Sequence, residues 1–157
     1  MNGPELLEHA AGLVNRRRRE YGEPADLFEQ IAQRWSLTLA TTISAAQVAL
    51  CLIDFKLARL THDPRHLGGS ASMNGPELLD HAAGLVNRRR REYGEPVELF
   101  EHVAQRWSLT LGNRVSPAQV VLCLIDLKLA RLAHDPKHLD GQVDIAGYAA
   151  VLREVSR

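Results

Sequence analysis

The stretch that decides the fold occurs twice, as Ser44-Ala45-Ala46-Gln47-Val48-Ala49-Leu50-Cys51-Leu52-Ile53-Asp54-Phe55-Lys56-Leu57-Ala58-Arg59-Leu60 and as Ser116-Pro117-Ala118-Gln119-Val120-Val121-Leu122-Cys123-Leu124-Ile125-Asp126-Leu127-Lys128-Leu129-Ala130-Arg131-Leu132. Each copy opens on Ser-x-x-Gln, the pattern in which a serine and a glutamine cap a helix reciprocally. In the second copy Pro117 adds the residue whose fixed φ suits the first helical position. Beyond the cap each copy is apolar nearly all round, as expected of a helix at the centre of a bundle.

Working outward, the repetition is general. Residues 1–67 align without a gap to residues 73–139 at a constant offset of 72, and most positions are identical. Between them lies a linker-like insert, Gly68-Gly69-Ser70-Ala71-Ser72, and only the second copy continues into a tail from Asp140 to Arg157. The changes are mild except in one turn, Ala40-Thr41-Thr42 against Gly112-Asn113-Arg114.

Ahead of the central helix, each copy predicts two more. Pro4 starts a run in which Leu6, Leu7, Ala10, Leu13 and Val14 recur at helical spacing until Tyr21-Gly22. Pro24 restarts the chain, and Leu27, Phe28, Ile31, Ala32, Trp35 and Leu39 form an apolar stripe. In the tail Asp140 is placed to cap a last helix through Val143, Ala146, Ala149, Leu152 and Val155. The expected fold class is all-α, a pseudo-dimeric helical bundle of three plus four helices. Residues 1–67 and 73–157 fuse into one body, because three short helices cannot bury the central one alone. Further homo-oligomerisation and domain swapping are both compatible with this pattern.

Composition narrows the functional classes. Nineteen Lys+Arg against nineteen Asp+Glu give no global charge to attract nucleic acid or an anionic membrane. The longest apolar stretches, Val48 to Ile53 and Val120 to Ile125, fall far short of the roughly 20 residues that span a bilayer. The N-terminus has neither a basic nor an apolar leader region, so a cytoplasmic location is expected. Cys51 and Cys123 sit in apolar runs and read as buried thiols.

Several polar groups invite chemistry. Asp126, Lys128 and Arg131, with Asp54, Lys56 and Arg59 as counterparts, interrupt a helix built for burial; they suit either structural ion pairs or phosphate contact. Asp140, Asp144 and Tyr148 are four apart in turn, hence one stripe, where two carboxylates can share magnesium or merely cap a helix and face its dipole. Gly147 suggests a close backbone approach. Of the acidic i, i+3 pairs, only Glu98 and Glu101 fall in the body of a helix; facing Asp140 and Asp144 they would complete a four-acid metal cage. Arg16 to Arg19 and Arg88 to Arg91 wrap around a helix end and read as solvated termini rather than a nucleic-acid surface. His62-Asp63-Pro64-Arg65-His66 and His134-Asp135-Pro136-Lys137-His138 read as helix-terminating turns, since proline breaks the chelate spacing.

The second copy resembles a family of small phage and prophage proteins through Arg91-Glu92-Tyr93-Gly94, Phe100, Val103-Ala104-Gln105-Arg106-Trp107-Ser108, Lys128-Leu129-Ala130-Arg131-Leu132 and Asp140 through Asp144-Ile145-Ala146-Gly147-Tyr148-Ala149. That family is distantly similar to the MazG-type all-α nucleoside triphosphate pyrophosphohydrolases. The resemblance implies a magnesium-dependent nucleotide hydrolase or a nucleotide-binding relative. In it Glu98 and Glu101 serve as the catalytic acidic pair, Asp140 and Asp144 hold the metal, and Lys128, Arg131 and Tyr148 meet the nucleotide. Only the second copy carries the whole set. The alternatives are a non-enzymatic phage-type protein that binds a host protein or nucleic acid, and an engineered single-chain dimer.

Overall fold

The computed structural model describes residues 3–60 and 73–157, which form seven helices: α1 Gly3–Tyr21, α2 Pro24–Thr38, α3 Ala45–Leu60, α4 Gly75–Tyr93, α5 Pro96–Leu111, α6 Pro117–His134 and α7 Leu139–Val155. The insert at residues 68–72, the turn from His62 to His66 and the side chain of Arg59 lie outside the described residues. The chain is all-α, as its period predicts, and no described helix is long and apolar enough to cross a membrane.

The helix starts follow local chemistry. Gln47 and Gln119 accept from the backbone N–H of Ser44 and Ser116, whose hydroxyls accept in return from the glutamine N–H groups. Asn74 and Glu77 form the same reciprocal box at the head of α4, a pairing not anticipated from the sequence. In each repeat a serine pins the turn before the central helix. Ser36 Oγ donates to Ala32 O and accepts from Ile43 N–H, and Ser108 repeats this with Ala104 and Val115.

The two repeats pack crosswise, α2 on α6 and α3 on α5, about a pseudo-twofold axis. Equivalent residues meet on that axis. Trp35 and Trp107 lie with ring centroids 4.8 Å apart, and Asn113 reaches Thr41 at 3.4 Å. Mirror-image bonds flank it: Trp35 Nε1 donates to Cys123 O at 2.8 Å, and Trp107 Nε1 donates to Cys51 O at 3.0 Å. Both indoles and both thiols are fully buried, together with Ile31, Val48, Val103, Val120 and Val121. Burial pushes the Cys51 thiol up to about 12 and raises that of Cys123 as well, so both are packing groups rather than nucleophiles.

The seventh helix breaks the symmetry. α7 lies against α6, α4 and α5 of its own repeat, and the first repeat has nothing equivalent. α1 accordingly reaches the bundle by its end: among its described side chains only Tyr21 is buried. Tyr21 sits under Arg131, whose guanidinium is 5.4 Å from the ring centroid, and its hydroxyl is 2.8 Å from His138 Nε2.

Two local expectations are corrected. The N-cap of α7 is His138, not Asp140, because the turn after α6 places the imidazole Nδ1 to accept from Gly141 N–H at 3.1 Å. With Nδ1 accepting, the neutral ring carries its proton on Nε2 and donates it to the Tyr21 oxygen. The close approach lies at Gly141 rather than Gly147. A Cβ on Gly141 would meet Leu132 Cδ2 and His138 Nδ1 at 3.2 Å, whereas one on Gly147 would meet only Val86 Cγ2, at 3.5 Å.

Candidate anion-binding cleft

Of the charges that interrupt the central helices, two are absorbed by the interface. Asp126 accepts from Thr38 Oγ1 at 2.7 Å with Arg34 at 4.0 Å; Asp54 accepts from Thr110 Oγ1 at 2.9 Å and from Arg106 at 3.1 Å. Each crosses from one repeat to the other, so these carboxylates set the register of the two halves.

Lys56, Lys128 and Arg131 line a cleft of about 500 Å³ between the two repeats. Its lining contains equivalent residues from both repeats: Arg17 with Arg89, Lys56 with Lys128, and Leu52 with Leu124. Arg131, Asp140, Asp144 and Tyr148 enter from the second repeat, and the last two stand on α7, which the first repeat lacks. Five of the sequence-predicted site residues, Lys128, Arg131, Asp140, Asp144 and Tyr148, are therefore neighbours. Lys56, named in the sequence as the counterpart of Lys128, also lines the cleft, and so do Arg17 and Arg89, which the sequence alone places in solvated helix ends; the signal that pairs them is their equivalence in the two repeats.

Asp144 is the buried centre of the cationic side. Its Oδ2 accepts from Lys128 Nζ at 2.6 Å and its Oδ1 from Arg89 at 3.3 Å. Burial works to raise its pKa, and the two cations outweigh burial and hold it below the usual carboxylate range. Arg131 is affected in the opposite sense, since burial weighs against its charge, and its Nε has no hydrogen-bond partner. Arg17 makes no ion pair with the described residues and is exposed. Among the described residues, five cations against two carboxylates leave the lining with an excess of three positive charges.

Glu98 and Glu101 are not brought to this place. Both are exposed on α5 and neither lines the cleft, because α5 turns Phe100, Val103, Ala104 and Trp107 inward. Asp140 lies on the rim, in the first turn of α7. The donors do not fit the magnesium cage that the resemblance implies. Asp144 spends both oxygens on cations, and among the described residues no three His, Cys, Asp or Glu side chains gather within reach of one ion.

The arginine runs differ in their use. Arg16 to Arg19 are exposed, with Arg18 paired to Glu23 at 3.2 Å. In the second run Arg88 pairs with Glu92, Arg89 with Asp144, and Arg90 with both Glu95 and Glu154. The turn from His134 to His138 closes α6 as expected, with Asp135 accepting from Lys137 N–H.

Comparison with known proteins gives a consistent family and no activity. The model of a domain of unknown function, DUF6378, matches twice, over residues 5–75 and 77–156. The chain is 36% identical over 80 residues to the Gene 55 protein of Mycobacterium phage L5, covering 50% of this chain and 51% of that protein. It is 32% identical over 79 residues to the Gene 55 protein of Mycobacterium phage D29, covering 50% and 52%. The chain thus spans about half the length of these curated relatives. No solved structure matches the chain significantly.

Proposed function

Because the chain belongs to the DUF6378 family of phage-type proteins and carries the family's domain twice, we propose that its function lies where the two copies meet, and that the axial cleft binds a phosphate-bearing ligand of the nucleotide class. The observation that carries this reading is the charge excess among the described residues: five cations and two carboxylates around about 500 Å³, a volume within the range of small-molecule sites. A cationic cleft with apolar walls raises the local concentration of anions. Phe28, Leu52, Ile53 and Tyr148 offer an apolar wall for a base or sugar, while Arg17, Lys56 and Arg131 add positive charge to the lining. Lys128 and Arg89 are fixed by Asp144, which positions them at the cleft wall without neutralising both.

No hydrolytic step is derived, since the acids that would hold magnesium do not converge. Binding in this reading needs no metal. Titration calorimetry with pyrophosphate and with a nucleoside triphosphate, each in EDTA and in magnesium, tests it. Saturable binding in EDTA that weakens with salt and drops at least tenfold in Arg17→Gln/Lys56→Gln is the expected result. Both substituted residues are exposed, so the fold tolerates the change. No heat with either ligand overturns the reading; binding only with magnesium, with release of pyrophosphate, returns the acids to a metal role.

A further inference from the structure

Identical residues in the two repeats have unequal exposure, and the inequality traces to α7. Ala82 is buried and Val86 half-buried on α4, beside α7; their counterparts on α1, Ala10 and Val14, are exposed. Ile125 on α6 is half-buried, whereas its counterpart Ile53 is 54% exposed. The first repeat therefore presents the residues that receive α7 in the second, with no counterpart of α7 encoded between residues 67 and 73.

Charge follows the same rule. α7 is fastened to α4 by two carboxylates ten residues apart, Asp144 on Arg89 and Glu154 on Arg90 at 2.6 Å. Arg17 and Arg18 are the corresponding residues of α1. Arg18 already makes the intra-repeat pair with Glu23 that Arg90 makes with Glu95. In the second repeat Arg90 adds Glu154 to that pair, so the first repeat holds half of a two-carboxylate clamp.

We propose that this face of the first repeat, Ala10, Val14, Arg17, Arg18 and Ile53, is a docking surface for an amphipathic helix delivered by another protein, with α7's pattern: a small-residue stripe against Val14 and two carboxylates ten residues apart for Arg17 and Arg18. A second copy of this chain is not the occupant, because each copy has one α7 and that helix is seated on its own repeat. Arg17 and Ile53 also line the cleft, so a docked helix and a cleft ligand would compete for Arg17, whereas Val14 and Arg18 belong to the docking face alone.

The probe is a labelled peptide of residues 138–157, titrated against the full chain by fluorescence anisotropy. Expected is saturable one-to-one binding, lost in Val14→Asp, weakened at least tenfold in Arg18→Glu, and restored for Arg18→Glu by a peptide carrying Glu154→Arg. Binding that survives Val14→Asp and is lost in Val86→Asp would mean that the peptide replaces the chain's own α7, and overturns the proposal. A second measurement guards against weak affinity in trans: a second copy of residues 140–157 inserted after Leu67 raises Tm by several degrees, and Val14→Asp cancels the gain. No peptide binding together with no gain in Tm sinks the idea.

Discussion

Trp35 and Trp107, equivalent positions in the two repeats, lie with ring centroids 4.8 Å apart and planes tilted by 32°, and each indole donates to the cysteine carbonyl of the opposite repeat. Each half thus supplies the acceptor for the other's buried indole N–H, which ties the halves into one folding unit. Trp35→Phe removes the bond that the indole adds to Cys123 O, a carbonyl inside α6, at about 0.5–1.5 kcal/mol. Trp107→Phe is expected to cost a similar amount, and Trp35→Ala about 3–5 kcal/mol. Urea denaturation followed by fluorescence and by circular dichroism should give one coincident transition in the wild type. Two separated transitions would contradict a single unit.

The turn between the second and third helices of each repeat carries a difference in strain. Ala40 has φ 52°, in the left-handed region, where the second repeat has Gly112 at φ 67°. An L side chain there costs about 1–2 kcal/mol. Ala40→Gly is therefore expected to stabilise by about 1 kcal/mol and Gly112→Ala to destabilise by as much, read as opposite shifts in Tm. Equal signs would mean that the turns are not equivalent.

Asp144 links stability to acid. Burial opposes its charge, but Lys128 and Arg89 hold its folded pKa below the unfolded value of about 3.9. Its contribution is therefore complete above that value and disappears as pH falls through the lower, folded pKa. Asp144→Asn, which leaves two cations against a neutral amide, should cost about 3 kcal/mol at pH 7. The gap between wild type and variant should close below about pH 4 in denaturant titrations. A gap that persists at pH 2 would place the cost in packing instead.

The two glycines of α7 should respond oppositely to alanine. At Gly141 the added methyl meets Leu132 and the capping imidazole at 3.2 Å, and about 1 kcal/mol or more is lost. At Gly147 it meets Val86 at ordinary contact distance, and the gain in helix propensity, about 0.5–1 kcal/mol, dominates. Thermal melts of the two variants decide the matter.

Much of the fold was legible because its signals are local or periodic: prolines and Ser-x-x-Gln boxes mark helix starts, and the offset of 72 announces two equivalent halves. The stripe of Asp140, Asp144 and Tyr148 was likewise legible, since a four-residue spacing fixes a face. What the sequence did not yield is where faces point relative to one another. Glu98 and Glu101 share a face with each other, yet that face turns to solvent because Phe100 and Trp107 claim the inside of α5. His138 displaced Asp140 as the cap because a turn of three residues, not a propensity, set which side chain reached Gly141 N–H. Arg17 looks like an ordinary surface cation until symmetry pairs it with Arg89.

The single α7 has a consequence for any molecule held on the axis. A site on a true twofold is degenerate, because an asymmetric guest fits it equally well in two poses related by half a turn. Here Asp144 and Tyr148, both on α7, stand on one side of the cleft only. The two poses are then unequal in energy, and a guest enters with one end assigned to each half. A homodimer offers such polarity only by breaking its symmetry on binding, whereas this chain has it written into the order of its helices.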